Sequence, residues 1–368
     1  MKDLLYEIAL TRIPLVGAVT ARTLVSYCGS VTGVFTAKKK ELVKIPGVGE
    51  RLAANILETD VLREAEQELR FVEKNDIQVL FYLDENYPDK LKNYADSPIL
   101  LFYKGNADLN SPRIVSIVGT RQPTAAGIAF CEELVSDLKP YNVLVLSGLA
   151  YGIDVTAHRK SLEMEMPTVG ALGHGFQTIY PQQHRNIAER MCDKGGLVTE
   201  FSSNTKPDRE HFPMRNKIIA GLCDALVVVE TAKKGGSMIT AHLANEYNKD
   251  VFAVPGRLQD KYSQGCNHLI KTHKAALLES AADLAYVMRW EETETRKLIQ
   301  RQLFVELSAE EKFVVNLLQQ YPEVNIDRLL FETKMTGSVL AAQLLELEFK
   351  GIIKSLPGKR YTLLQHPN

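Results

Sequence analysis

The sequence is poor in the features that announce several common functions. Its five cysteines (Cys28, Cys131, Cys192, Cys223, Cys266) are odd in number and scattered, and no CxxC pair occurs. That pattern suits neither a zinc ribbon nor a disulfide framework. The eight histidines are dispersed with no HExxH, so no metal site is expected, and no GxxxxGK[ST] loop or GxGxxG turn is present. Zincin, P-loop and conventional dinucleotide chemistry therefore lack their residues, and no cofactor is expected. A formal net charge of −1 gives no global basic field, so any anion site must be a local patch. No apolar run approaches the roughly 18 residues of a membrane span. The opening MKDLLYEIALTRI carries acids where a secretory signal has its apolar core, which makes the cytoplasm the expected location.

What is present begins with length: 368 residues fit two or three domains, with an ordinary globular composition of 45% hydrophobic and 24% charged residues. The chain is organised around residues 207–241, PDREHFPMRNKIIAGLCDALVVVETAKKGGSMITA. A polar loop ends at Phe212-Pro213, and Arg215-Asn216-Lys217 open an apolar helical segment. The run Ala225 to Glu230 follows, with no alternation, as in a strand buried on both faces. Lys233, Lys234, Gly235, Gly236 and Ser237 come next, beyond the carboxyl end of that strand, where open α/β sheets place their ligands. The ligand suggested is an anion carrying phosphates.

Residues 1–75 read as helical and carry an internal repeat. Leu10-Thr-Arg-Ile13-Pro14-Leu15-Val16-Gly17-x3-Ala21 returns as Leu42-Val-Lys-Ile45-Pro46-Gly47-Val48-Gly49-x3-Ala53. The second copy resembles a helix-hairpin-helix, whose turn exposes backbone N–H groups that can hold one phosphate. The alternative is a small helical module that packs on its neighbours. Residues 76–288 form the next region. Two β-rich runs, Ile77–Leu83 and Ile99–Tyr103, are expected at the edge of a sheet built from Ile114–Val118, Val143–Leu146, Thr168–Leu172, Leu197–Thr199, Ala225–Val229, Val251–Val254 and Ala275–Leu278. Strands alternating with helical segments predict an α/β fold: an extended Rossmann-like domain with a mostly parallel sheet and helices on both faces.

Residues 289–305 are charge-rich and read as a linker helix or tether. Residues 306–368 predict a winged helix. A capping box, Ser308-Ala-Glu-Glu311, opens a first helix, two more helices follow, and two strands surround Pro357-Gly358. Its third helix, from Thr336 to Phe349, has no Arg or Lys before Lys350, which favours protein contact over groove reading.

Several strands run into small or polar clusters: Gly119-Thr120-Arg121, Ser147-Gly148, Gly173-His174-Gly175, Glu200, Glu230 and Pro255-Gly256. Converging on one rim, they supply the parts of an anion groove. Arg121 and Arg215 offer planar forks for phosphate oxygens. Gly119, Gly148, Gly235 and Gly236 permit close backbone approach, and Thr120, Ser147 and Ser237 add hydroxyls. Phe212, with Phe176 or Tyr180, offers faces for unpaired bases. The isolated His158 reads as structural rather than metal-binding.

These residues resemble those of the DNA-processing protein A (DprA/Smf) family. Ile117-Val-Gly-Thr-Arg121 is similar to its IVGSR turn, Ser147-Gly-Leu-Ala-Tyr-Gly-Ile-Asp154-x3-His158 to SGLAxGIDxxAH, and Gly173-x-Gly175-x4-Tyr180-Pro181 to LGxGxDxxYP. Phe212-Pro-Met-Arg215-Asn216-Lys217-Ile-Ile-Ala-Gly221 follows FPxRNRxIAG. Gly236-Ser237-x-Ile-Thr240-Ala241 follows SGSLITA, and Val254-Pro-Gly256 with Gly265-x-Asn267-x-Leu-Ile270 completes the series. The resemblance implies a homodimer that binds single-stranded DNA and loads RecA recombinase in natural transformation, and not an enzyme. It further implies phosphate contacts by Arg121, Arg215 and Lys217 over a floor of Gly119, Ser147, Gly148, Gly235, Gly236 and Ser237. Departures are Thr120 for serine, Lys217 for arginine, Gly235 for the first serine of SGS, and His242 where a basic residue is common. The competing reading is a nucleotide-binding protein or a LOG-like phosphoribohydrolase on a related Rossmann-like fold. The enzyme reading fits Arg215-x-Lys217 and Gly235-Gly236, but the glycine, threonine and catalytic glutamate of its PGGxGTxxE turn are here Met238, Ile239 and His242.

Overall fold

The computed structural model describes residues 2–58, 60–292, 307–321, 323–350, 352–356 and 358–363. They fall in two compact units, Met1–Thr293 and Glu294–Asn368. The segment expected to act as a linker helix lies chiefly outside the described residues.

In the first unit, strands β1 (Gln78–Phe81), β2 (Leu100–Gly105), β3 (Ile114–Val118), β4 (Leu144–Ser147), β5 (Thr168–Ala171), β6 (Gly196–Thr199), β7 (Ala225–Val228), β8 (Asp250–Ala253) and β9 (Ala276–Leu277) form one sheet. Their order is β1-β2-β6-β5-β4-β3-β7-β8-β9. β1 and β2 are antiparallel to their neighbours, and the seven strands from β6 to β9 run parallel. Each run predicted as a strand forms one, and the two β-rich runs lie on an edge as expected.

The apolar runs are continuous because both faces of the sheet are covered. Ile114, Val118, Leu144, Leu146, Leu226 and Val228 pack on one face with Ile218, Ile219 and Leu222. Val115, Ile117, Val145 and Val227 pack on the other with Cys131, Leu134 and Ile153. The period of two thus divides the central strands β3, β4 and β7 between two cores.

The repeat at the N-terminus folds as helices α1 (Lys2–Arg12), α2 (Ala18–Cys28), α3 (Val31–Thr36), α4 (Lys39–Leu42), α5 (Glu50–Glu58) and α6 (Val61–Lys74). The two copies share a backbone feature: Leu15 has φ +69° where Gly47 has φ +81°. Leucine there carries a strain that glycine avoids. The helices are fastened to the sheet through a buried carboxylate. Glu68 accepts hydrogen bonds from Ser203 N (2.8 Å) and Ser203 Oγ (2.9 Å) and pairs with Arg12 at 2.8 Å.

The second unit has α7 (Ala309–Gln320), α8 (Ile326–Thr333) and α9 (Gly337–Phe349), with a hairpin of Ile353–Leu356 and Arg360–Leu363. A third short strand, Val324–Asn325, which the sequence does not announce, pairs with the second hairpin strand. Ser308 and Glu311 make the predicted capping box. Leu340, Leu344 and Leu347 of α9 are buried in the core of this unit, which leaves Val339, Leu345 and Phe349 exposed.

Candidate nucleic-acid interface

The chain leaves β3 toward β4 on one side, and β7 later returns to the other side of β3. Neighbouring loops therefore part above β3 and β7, at a topological switch point, and a crevice opens beyond their carboxyl ends. It has a volume of about 260 Å³, and its lining brings Gly119, Thr120 and Arg121 together with Phe212, Arg215, Asn216, Gly235, Gly236 and Ser237. Nine of the residues singled out in the sequence thus share one site.

Phe212 and Arg215 come from a helix spanning His211–Leu222. It begins four residues before Arg215, so Phe212-Pro213 belongs to its first turn and not to the preceding loop. Proline is tolerated there because a first-turn N–H has no intrahelical partner to lose. Phe212 lies beneath two guanidiniums: Arg121 Cζ is 5.4 Å and Arg215 Cζ 5.8 Å from its ring centroid.

The two arginines differ in environment. Arg121 is exposed. Arg215 is 4% exposed and donates to Gly148 O, to Ala171 O at 2.6 Å and to Asn216 Oδ1 at 3.1 Å. Burial pulls its pKa down to about 10, and the neighbouring Asp154 opposes that shift. Burial pushes the Asp154 carboxyl up, and Arg215 opposes it in turn. The Arg215 fork is thus spent on the protein's own carbonyls. A Cβ at position 148 would come within 2.3 Å of Arg215 Nη1, which accounts for Gly148 as a space-giver to the arginine rather than to a ligand.

Ser147 is fully buried, with its hydroxyl donating to Ile117 O. Lys217 points away from the crevice and pairs with Asp96 at 2.9 Å. His242 lies further along its helix and does not line the crevice. Gly173 packs under the Phe212 ring, where a Cβ would meet Phe212 Cδ1 at 3.0 Å, so the Gly173–Gly175 turn supports the rim without lining it. Tyr180 is exposed, with its ring 6.2 Å from that of Phe212, whereas Phe176 packs among apolar side chains elsewhere.

Opposite Arg121 stands the start of the helix Gly236–Glu246. Gly235 is its N-cap and supplies no side-chain hydrogen bond. Ser237 Oγ is buried there without a hydrogen-bond partner. Uncapped N–H groups, a helix N-terminus and an unsatisfied hydroxyl suit an anion. Thr231, Ala232 and Tyr262 also line the crevice. Sequence reasoning passed over Tyr262, which lies in no motif; its hydroxyl donates to Gln122 at 2.7 Å beside Arg121.

The carboxylates near the crevice are engaged. Asp154 faces Arg215, and Glu230 accepts from Thr124 N at 2.9 Å and Thr124 Oγ1 at 2.6 Å. His158 is buried, with Nδ1 2.7 Å from Thr168 Oγ1, and burial lowers its pKa to about 3. No group of three metal-ligating side chains occurs among the described residues.

Residues 78–289, more than half of the chain, match the family model for DNA recombination-mediator protein A. Residues 7–59 match a SAM-like helix-hairpin-helix tandem, and residues 302–359 a DprA winged helix domain. The chain is 28% identical to Protein Smf of Synechocystis sp. over 97% of its own length and 98% of that protein. Its fold is similar to the X-ray structure of DNA processing protein A from Streptococcus pneumoniae (TM-score 0.65, 30% identity, 79% of this chain and 99% of that one). It is also similar to a structure of DNA processing protein A from Helicobacter pylori (TM-score 0.53, 25% identity, 58% of this chain and 97% of that one), which bears on the single-stranded DNA binding mode of that protein.

Proposed function

The chain belongs to the DprA/Smf family of DNA recombination-mediator proteins, and from that premise we propose that it binds single-stranded DNA at the switch-point crevice. The observation that carries this reading is the facing of an exposed Arg121, stacked over Phe212, with the uncapped helix start at Gly235-Gly236-Ser237. A cation and a helix N-terminus hold a phosphate, and an aromatic face beside them holds an unpaired base. Arg121 is the direct phosphate ligand, aided by Thr120, Ser237 and the backbone of Gly119, Gly235 and Gly236. Arg215 contributes its charge from beneath and fixes the shape of the site. Among the described residues the carboxylates near the crevice are engaged, Asp154 with Arg215 and Glu230 with Thr124, which supports binding rather than hydrolysis.

In this reading the protein is a homodimer that presents the strand to a RecA-type recombinase. The dimer is supported by β9, which ends the sheet among the described residues, by its exposed Leu277 and by the exposed Tyr286 and Val287 that follow it in the chain. Among the described residues no helix is long and apolar enough to cross a membrane.

The test is an anisotropy titration of single-stranded against double-stranded oligonucleotides at two salt concentrations. Preference for the single strand, with affinity falling as salt rises, is expected. Equal affinity for both forms, or binding insensitive to salt, overturns the reading.

A further inference from the structure

A second cavity of about 260 Å³ lies where the N-terminal helices meet the sheet. Val16, Ile99, Leu100, Phe201 and Met214 give it apolar walls, Thr11, Ser202 and Thr205 add polar ones, and the first hairpin turn, Gly17-Ala18, stands at one side. One carboxylate, Glu200, stands in this lining. Its Oε1 is buried without a hydrogen-bond partner. Burial raises the group's pKa to about 7, and only Lys217 opposes that shift. Such an acid costs stability unless something satisfies it. The start of α2 at Gly17 has no side-chain cap either.

The cavity adjoins the crevice. Phe212 lines the crevice and Met214 lines this cavity, and both belong to the first turn of the His211–Leu222 helix. Phe201, on the cavity wall, packs 4.5 Å from the His211 ring at the same helix start. The two sites therefore meet at the first turn of one helix.

We propose that this cavity is a base-reading subsite for guanine, with Glu200 as the recognition residue. The proposal rests on the single-strand reading above. Flat apolar walls suit a ring, and an ionised carboxylate has two acceptors and no donor. Of the four DNA bases, guanine alone presents two adjacent donors on its Watson–Crick edge, N1–H and the N2 amino group. Thymine offers one N–H flanked by two carbonyls, while adenine and cytosine offer one amino group beside an acceptor. Glu200 Oε1 is closed off from solvent, so the fit is a bidentate pair between guanine and a Glu200 carboxylate turned into the cavity, with the ring against Phe201 and Met214.

The experiment measures the affinity of the full chain at pH 8 for three single-stranded oligomers of equal length. One is all thymine, one carries isolated guanines spaced by thymines, and one has inosine in place of each guanine, which removes only the N2 amino group. The guanine oligomer is expected to bind about fivefold to tenfold more tightly than the thymine oligomer, with inosine between them. The ratio of guanine to thymine affinity is expected to fall to near one in Glu200→Gln. Equal affinity of the unmodified protein for guanine and inosine oligomers overturns the subsite without any mutation, as does a guanine preference that survives Glu200→Gln. If all three oligomers bind equally well, the subsite fails and single-strand binding stands. If none binds, both fail together.

Discussion

Two places in this protein occupy positions where their folds commonly meet nucleic acid, and their chemistry is opposite. At the switch-point crevice, an exposed Arg121, the face of Phe212 and an uncapped helix start converge. On the third helix of the winged unit, the exposed face carries Val339, Leu345 and Phe349, and no cation precedes Lys350. Lys350 itself pairs with the buried Glu311. The fold gives both regions a suitable shape, and only the first has residues to neutralise phosphate. A similar contrast runs through the crevice itself, where one arginine is free and the other is enclosed.

The largest expected effect tests that inner contrast. Arg215→Ala would leave Asp154 without its cation and the Gly148 and Ala171 carbonyls without their donor. Breaking a buried pair in this way costs about 3–5 kcal/mol, so the urea midpoint should fall steeply. Loss of DNA affinity with unchanged stability would instead make Arg215 a direct ligand. Next comes Arg121→Glu, at an exposed side chain. Reversing one phosphate-contacting charge should lower single-strand affinity by about 100-fold, roughly 2.7 kcal/mol, with the thermal midpoint unmoved. Unchanged affinity would sink the crevice as the DNA site.

The acid of the neighbouring cavity predicts a smaller effect with a definite sign. Glu200 has a folded pKa of about 7 against an ordinary 4.5, so between these values the folded state holds a proton that the unfolded chain releases. The stability it contributes is complete below pH 4.5 and lost as pH rises through 7. Glu200→Gln should therefore exceed the parent in stability at pH 8 by about 1–3 kcal/mol, and the gap should close toward pH 4.5. Urea melts of both proteins at pH 5 and pH 8 give the comparison, and a constant gap would refute it.

Much of this was legible in the sequence because strands buried on both faces leave unbroken apolar runs. Each run over residues 112–288 was readable to within a residue or two, and their loops named most of the crevice lining. What stayed hidden depends on where a side chain turns. Arg215 and Lys217 are two residues apart on one helix and read as a pair, yet that spacing sends them to opposite sides, one inward to Ala171 O and one out to Asp96. Gly148 read as a floor for ligand and proved to be room for a guanidinium. Tyr262 was missed because nothing local marks a tyrosine that reaches the rim from a loop. The repeat was visible as a pattern, but Leu15 in place of glycine concealed that both copies turn through the same left-handed backbone. Leu15→Gly should on that account stabilise the helical segment by about 1 kcal/mol, or somewhat less because glycine also frees the unfolded chain. Thermal melts check it, and a destabilised variant would mean that the exposed leucine makes a contact worth more than its strain.

The smallest expected effect bears on the opening contrast most directly. Residues 306–368 belong to a separate compact unit with its own core of Val314, Leu318, Leu340, Leu344 and Leu347. Ending the chain at residue 305 therefore removes no wall of the crevice and no buried partner of Arg215. The lost surface carries an apolar third helix, so few counterions are released by it and the salt slope should hardly change. Single-strand affinity is expected to shift less than twofold. A loss on the order of tenfold, about 1.4 kcal/mol, with a shallower salt slope would place phosphate contacts on the winged unit. A tenfold loss at an unchanged slope would point instead to the exposed Leu345 and Phe349, with bases stacking on the apolar face. The two slopes thus separate the ways in which the apparent opposition of the two regions can fail.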